Sequence, residues 1–200
     1  MPQLSTTGFE LATGAQQSFD VPAKWSGRVW ARTNCTADSS GKLSCLTADC
    51  ASSIVPCNGA GGVPPATLTE FTVQGHEGMD FFDVSNVDGF NLPVAVVPQG
   101  GSGTNCNTTA CPVDINKLCP AELQKTAAGG AVVGCKSACL AFNTDEYCCR
   151  GAYGSPTTCK ASQFAKVFKD ACPQAYSYAY DDSTSTFTCT GANYSITFCP

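Results

Sequence analysis

Carboxylates at Glu70, Asp83 and Asp88, interleaved with Phe71, Phe81 and Phe82, are the residues whose type and spacing suit acid–base chemistry. Cleaving a glycosidic bond needs a carboxylic acid to protonate the leaving oxygen and a second carboxylate as nucleophile or base, about 5 Å away for retention or about 6.5–9.5 Å for inversion. In an extended chain Glu70 points away from Phe71 and Val73, Asp83 shares a face with Phe81 and Ser85, and Asp88 lies in the turn before Gly89. Solvated strand carboxylates are routine, and Asp88 suits its turn whatever the function. Phe81, Phe82 and Phe90 could stack on sugar rings or fill a core.

Other chemistries find less support. His76, the single histidine, sits in the polar turn Gly75-His76-Glu77-Gly78 with no second imidazole beside it. Gly101-Ser102-Gly103 is too short to present a serine nucleophile, and Gly59-Ala60-Gly61-Gly62 lacks the spacing of a phosphate loop. Close cysteines such as Cys45 and Cys50, Cys135 and Cys139, and Cys148 and Cys149 could ligate zinc but fit bridges better. No metal and no cofactor is expected.

Fifteen cysteines in 200 residues, all beyond Asn34, are the dominant constraint. Cytosolic glutathione would keep such thiols reduced, so the density points to a secreted chain and a disulfide framework, with one sulfur left over. A net charge of −5 removes the electrostatic basis for nucleic-acid or anionic-membrane binding. No apolar run approaches the roughly 20 residues of a transmembrane segment. The opening Met1-Pro2-Gln3-Leu4 lacks a signal peptide's regions, a conflict with secretion that is resolved if residue 1 is not the natural beginning. Sequons at Asn107, Asn193 and Asn34 are compatible with secretion but common by chance.

The elements that must position these residues are mainly β. Only 14% of residues are charged, and 19 Gly and 12 Pro predict short strands joined by many turns. Alternation predicts strands within residues 9–32, with Arg28, Trp30 and Arg32 on one face, and again over 66–73, 79–85 and, after the turn Asn86-Val87-Asp88-Gly89, over 90–97. Residues 35–57 hold four cysteines with no sustained period and read as a stapled loop. Residues 106–172 hold nine cysteines, a helix start at Pro120 and a helical stripe of Phe164, Val167, Phe168 and Ala171. Alternation over 185–199 returns the chain to the first sheet.

Several stretches occur in a telling order: GKLSCLTADC followed by Cys57, then PPATLTEF, DFFDVSNVDGFNLP, CPAEL, DEYCC, QAYSYAYDDSTSTFTC and a terminal FCP. They closely resemble the plant thaumatin-like, or osmotin-type pathogenesis-related, family, nearest its fruit members, from about Gln3 to Pro200. Family members usually have Gly or Phe where Leu43 stands, and a Gly soon after the Asp49-Cys50 pair where Ala51, Ser52 and Ser53 stand; neither departure should disturb the fold. They also begin with a further strand, carrying a cysteine and a tryptophan, ahead of Gln3.

The resemblance implies a thaumatin-like β-sandwich core from residues 1–32, 66–111 and 173–200, a small disulfide loop lobe over 33–65, and a disulfide-rich lobe with short helices over 112–172. It implies bridges Cys35–Cys45, Cys50–Cys57, Cys106–Cys189, Cys111–Cys172, Cys119–Cys135, Cys139–Cys148 and Cys149–Cys159. Cys199 is then a free thiol whose family partner lies on the absent strand, so a monomer that could dimerise through Cys199 is expected. The resemblance implies an acidic cleft from Arg28, Glu70, Asp83, Asp88 and either Asp181 or Asp182; within it we assign Glu70 as proton donor, Asp83 as the base that positions water, Arg28 and Asp88 as groups tuning their pKa values, and Phe82, from its ring, as a further substrate contact. The implied function is a secreted (apoplastic) antifungal defence protein engaging fungal wall β-1,3-glucan. Weak endo-β-1,3-glucanase activity stands against a non-enzymatic alternative, a glucan-binding or membrane-permeabilising protein. Fruit members raise allergenicity, and the sweet taste of the family's namesake goes with a basic surface that this chain lacks.

Overall fold

Alternating apolar and polar side chains, interrupted by Gly, Pro and Asn, give ten strands and four short helices in the computed structural model, among the described residues 4–200. The strands are β1 Ser26–Trp30, β2 Thr33–Ala37, β3 Leu43–Thr47, β4 Leu68–Thr72, β5 Asp80–Ser85, β6 Val94–Ser102, β7 Thr109–Cys111, β8 Gln124–Thr126, β9 Val132–Cys135 and β10 Phe187–Phe198. The helices are α1 Ala138–Phe142, α2 Asp145–Cys148, α3 Gln163–Ala171 and α4 Asp182–Ser185. One antiparallel sheet runs β1-β4-β5-β10-β6-β7, and β2-β3 and β8-β9 form separate ribbons.

β10 organises the sheet because both of its edges are used. Phe187, Thr188 and Cys189 pair with Phe82, Phe81 and Asp80 of β5, and Thr190 to Phe198 run along β6. The turn at Asn86–Gly89 forms, with the Gly89 amide donating to the Asn86 carbonyl at 2.9 Å, yet it closes no hairpin because β10 lies between β5 and β6. The sheet bends until Tyr194 on the β6 side packs its ring 5.2 Å from Phe71 and 5.0 Å from Phe82. Its two halves thus form the layers of a sandwich around Phe71, Phe82, Val84, Phe90, Val94, Val96 and Phe187.

Other expectations are corrected by what each segment buries. Of residues 9–32 only Ser26–Trp30 pairs in the main sheet; Phe9, Leu11 and Val21 stay 39–49% exposed, so alternation there has no core to meet. Residues 35–57 are not all loop, since β2 and β3 form a ribbon whose Cys35 and Cys45 lie directly opposite. Its β2 strand is largely exposed and β3 is mostly half-buried, so neither shows a two-residue hydrophobic period. Pro120 starts only the 3₁₀ turn Ala121–Leu123, because Gln124 enters β8. The Phe164–Ala171 stripe is α3, capped by the Ser162 hydroxyl accepting from the Ala165 amide and burying Ala165 and Phe168.

Cross-links complete the structure. The seven bridges are the pairs that the resemblance implied, and Cys199 is free and exposed. Buried Asn91 ties the ribbon to the sheet: its amide donates to the Ala31 carbonyl at 2.9 Å and the Thr47 hydroxyl at 3.0 Å, while its oxygen accepts from the Thr67 amide. Trp30 and Arg32 do similar work, donating to the carbonyls of Ala48 and Val55. Ala51 and Ser53 adopt φ of +56° and +64°, the left-handed region in which a glycine is less strained.

Candidate functional site

Register alone brings three charged side chains into line. Arg28 of β1 is the cross-strand partner of Glu70 on β4, and Glu70 is the partner of Asp83 on β5. Directly opposed residues hold their Cβ atoms about 4.5–5.5 Å apart. The three therefore form a row across adjacent strands, anchored by Arg28 Nε donating to Glu70 Oε1 at 2.6 Å. The same register turns Phe71 and Phe82 inward and leaves Phe81 on the carboxylate side.

An open cleft of about 330 Å³ lies over this row, lined by Ser26, Gly27, Arg28, Glu70, Thr72, Phe81 and Asp83, with Phe71 at its floor. Gly27 is required there, because a Cβ would come within 2.4 Å of the Trp25 ring. Ser26 and Thr72 share a hydroxyl hydrogen bond of 3.0 Å beside it. Phe82, expected as a substrate contact, is a correction: it is 1% exposed and stacks in the core with Phe71, Phe187 and Tyr194. Alternation explains the difference, since Phe82 must face opposite to its neighbour Asp83.

Burial, and then the charge of Glu70, push Asp83 from an ordinary 3.8 up to about 8, against the pull of Arg28 and with a further push from Asp182. Its Oδ1 is buried with no hydrogen-bond partner, consistent with a carboxyl held neutral. Near neutral pH the row thus pairs a carboxylic acid, Asp83, with a carboxylate, Glu70, that Arg28 holds in an ion pair.

The Asp181 and Asp182 pair divides cleanly. Asp181 is buried, takes hydrogen bonds from the Ser177 amide and hydroxyl, and lies 2.9 Å from Lys169 Nζ. Asp182 is exposed at the start of α4, accepts from the Tyr176 hydroxyl at 2.9 Å, and is the aspartate whose charge acts on Asp83. Asp88 does not line the cleft; its carbonyl accepts from the Ala66 amide in the turn that follows β5. Tyr176 was not anticipated from sequence, where QAYSYAYDD places several tyrosines and aspartates close together without distinguishing them. Among the described residues no group of three or more His, Cys, Asp or Glu is placed to hold a metal ion.

A bent antiparallel sheet, two disulfide-stapled outlying regions and a carboxylate row in an open cleft define a class of protein that comparison identifies. The thaumatin family model matches residues 1–200, and the chain belongs to that family. It is 60% identical over 200 residues to thaumatin-like protein 1 of Pyrus pyrifolia, covering all of this chain and 82% of that protein. A Prunus avium protein named glucan endo-1,3-beta-glucosidase is 57% identical, with all of this chain and 81% of that one covered. Pathogenesis-related protein 5 of Arabidopsis thaliana is 56% identical over 199 residues, at 100% and 81% coverage.

Proposed function

We propose that the cleft binds β-1,3-glucan of fungal walls and hydrolyses it slowly, in a secreted plant defence protein. The row of Arg28, Glu70 and Asp83, in cross-strand register under an open cleft, carries this reading. A neutral polysaccharide offers hydroxyl donors to carboxylates, and Phe81 offers an apolar face beside them. The glucosidase name of the Prunus avium relative supports glucan over other neutral polymers. Seven disulfides support an oxidising, extracellular location.

In this mechanism Asp83, protonated near neutral pH, donates to the leaving glycosidic oxygen, and Glu70 serves as the carboxylate base or nucleophile. These roles reverse the sequence-based expectation, because burial disfavours charge on Asp83 while Glu70 is ion-paired with Arg28. Asp182, whose charge acts on Asp83, suits the third aspartate's part better than the ion-paired Asp181.

The test is release of reducing ends from a soluble β-1,3-glucan by the wild type, Glu70→Gln and Asp83→Asn, each shown to be folded. Both variants are expected to lose activity, and wild-type activity should fall above about pH 8 as Asp83 loses its proton. Retained glucan binding with no release in any of the proteins would replace hydrolysis with binding alone. Activity that survives both substitutions would remove the carboxylate pair from the mechanism.

A further inference from the structure

We propose that Tyr176 is a positioning residue of the cleft, its hydroxyl fixing the Asp182 carboxylate at the edge that faces Asp83. The inference rests on reading Glu70 and Asp83 as the working pair, and it assigns what orders the far side of that pair.

Backbone geometry places Tyr176 there. Its amide donates to the Val84 carbonyl at 2.9 Å, its carbonyl accepts from the Asn86 amide at 2.9 Å, and it bridges Ser85 in parallel, so it extends the sheet beside the end of β5. Bridged to Ser85, it carries its side chain on the face of β5 that also bears Asp83, and there it meets two polar groups. Its hydroxyl donates to Asp182 Oδ1 at 2.9 Å and shares a hydrogen bond with the Thr186 hydroxyl. Thr186 immediately precedes Phe187, the residue at which the pairing of β10 with β5 ends and whose cross-strand partner is Phe82.

The charges acting on Asp83 come from three elements, Arg28 from β1, Glu70 from β4 and Asp182 from α4, while Tyr176, in the segment before α4, is itself acted on by both Asp182 and Asp83. Arg28 restrains Glu70 on one side, and Tyr176 restrains Asp182 on the other. Burial, above all else, drives the Tyr176 phenol upward, so its O–H remains a donor throughout the pH range of interest. The adjacent Asp181 cannot substitute for Asp182, because Lys169 and Ser177 turn it inward. A carboxylate held at the edge by one hydrogen bond opposes ionisation of Asp83; released into solvent, it opposes it less.

The experiment follows the Asp83 side-chain carboxyl by ¹³C NMR across pH in the full chain, comparing the wild type, Tyr176→Phe, Asp182→Asn and the double variant. Tyr176→Phe keeps the ring and is expected to lower the Asp83 midpoint by about half a pH unit, the scale of one screened like charge. Asp182→Asn should lower it at least as far, and Tyr176→Phe should then add nothing in the Asp182→Asn background. An unchanged midpoint in Tyr176→Phe, or an equal shift in both backgrounds, overturns the proposal, as does an unchanged midpoint in Asp182→Asn. Thr186→Val, which leaves the Asp182 contact in place, should move the midpoint less than Tyr176→Phe. No substrate is involved, so failure to cleave glucan would sink the functional reading while leaving this result to be judged separately.

Discussion

At the scale of the residue, Asp83 carries the clearest consequence. Its folded value of about 8 lies above its ordinary 3.8, so between about pH 4 and pH 8 the unfolded chain has lost a proton that the native state retains. Stability must then fall as pH rises through that window and be least affected below it. Asp83→Asn should remove this slope, leaving stability at pH 3 nearly unchanged and raising it at pH 7 by at most about 4 kcal/mol. Urea unfolding at pH 3, 5 and 7 reads the difference directly. The two neighbouring phenylalanines should separate in the same assay. Phe82→Ala empties a core position at a loss of about 3–5 kcal/mol, whereas Phe81→Ala, on the open face, should hold most of its stability. Backbone strain gives a third test: Ala51→Gly relieves a φ of +56° and should stabilise by about 1 kcal/mol.

Elements hold the site by two unlike devices. On one side, β1, β4 and β5 fix Arg28, Glu70 and Asp83 by strand register, which a single side chain cannot undo. On the other, the segment leading to α4 depends on Lys169 of α3, whose ammonium reaches Asp181, the carbonyls of Pro173 and Ala175, and the Ser185 hydroxyl, all at 2.9–3.0 Å. Lys169→Met would leave the Asp181 carboxylate buried without its cation, and a loss of about 2–4 kcal/mol is expected. Pairing it with Asp181→Asn should recover part of that loss, as chemical denaturation of the single and double variants would reveal.

Over the whole molecule, covalent closure matters in proportion to the chain it encloses. Cys106–Cys189 spans 83 residues and joins the loop after β6 to β10, whereas Cys35–Cys45 spans 10 within one ribbon. The loop-entropy model assigns the first about 4.5 kcal/mol and the second about 2.7 kcal/mol. Thermal unfolding of the two double-alanine variants should therefore show the larger loss for the Cys106–Cys189 pair. Fourteen of the fifteen cysteines pair, so denatured, unreduced protein should titrate one thiol, and Cys199→Ala should titrate none.

Local rules made much of this legible from the residues in order. Cysteine density indicated a cross-linked chain, period-two alternation put Glu70 opposite to Phe71 and Asp83 with Phe81, and the helical stripe marked α3. Each depends on neighbours a few positions apart, which the sequence displays. What only the tertiary structure decided depends on residues far apart in the chain. Phe82 became core because Tyr194, more than a hundred residues on, folds over it. Asp181 and Asp182, indistinguishable as a dipeptide, were separated by Lys169 on one side and Tyr176 on the other. The proton on Asp83 is the most distant inference of all, since it needs the desolvation and the opposing charges that three strands and a helix create only when they meet.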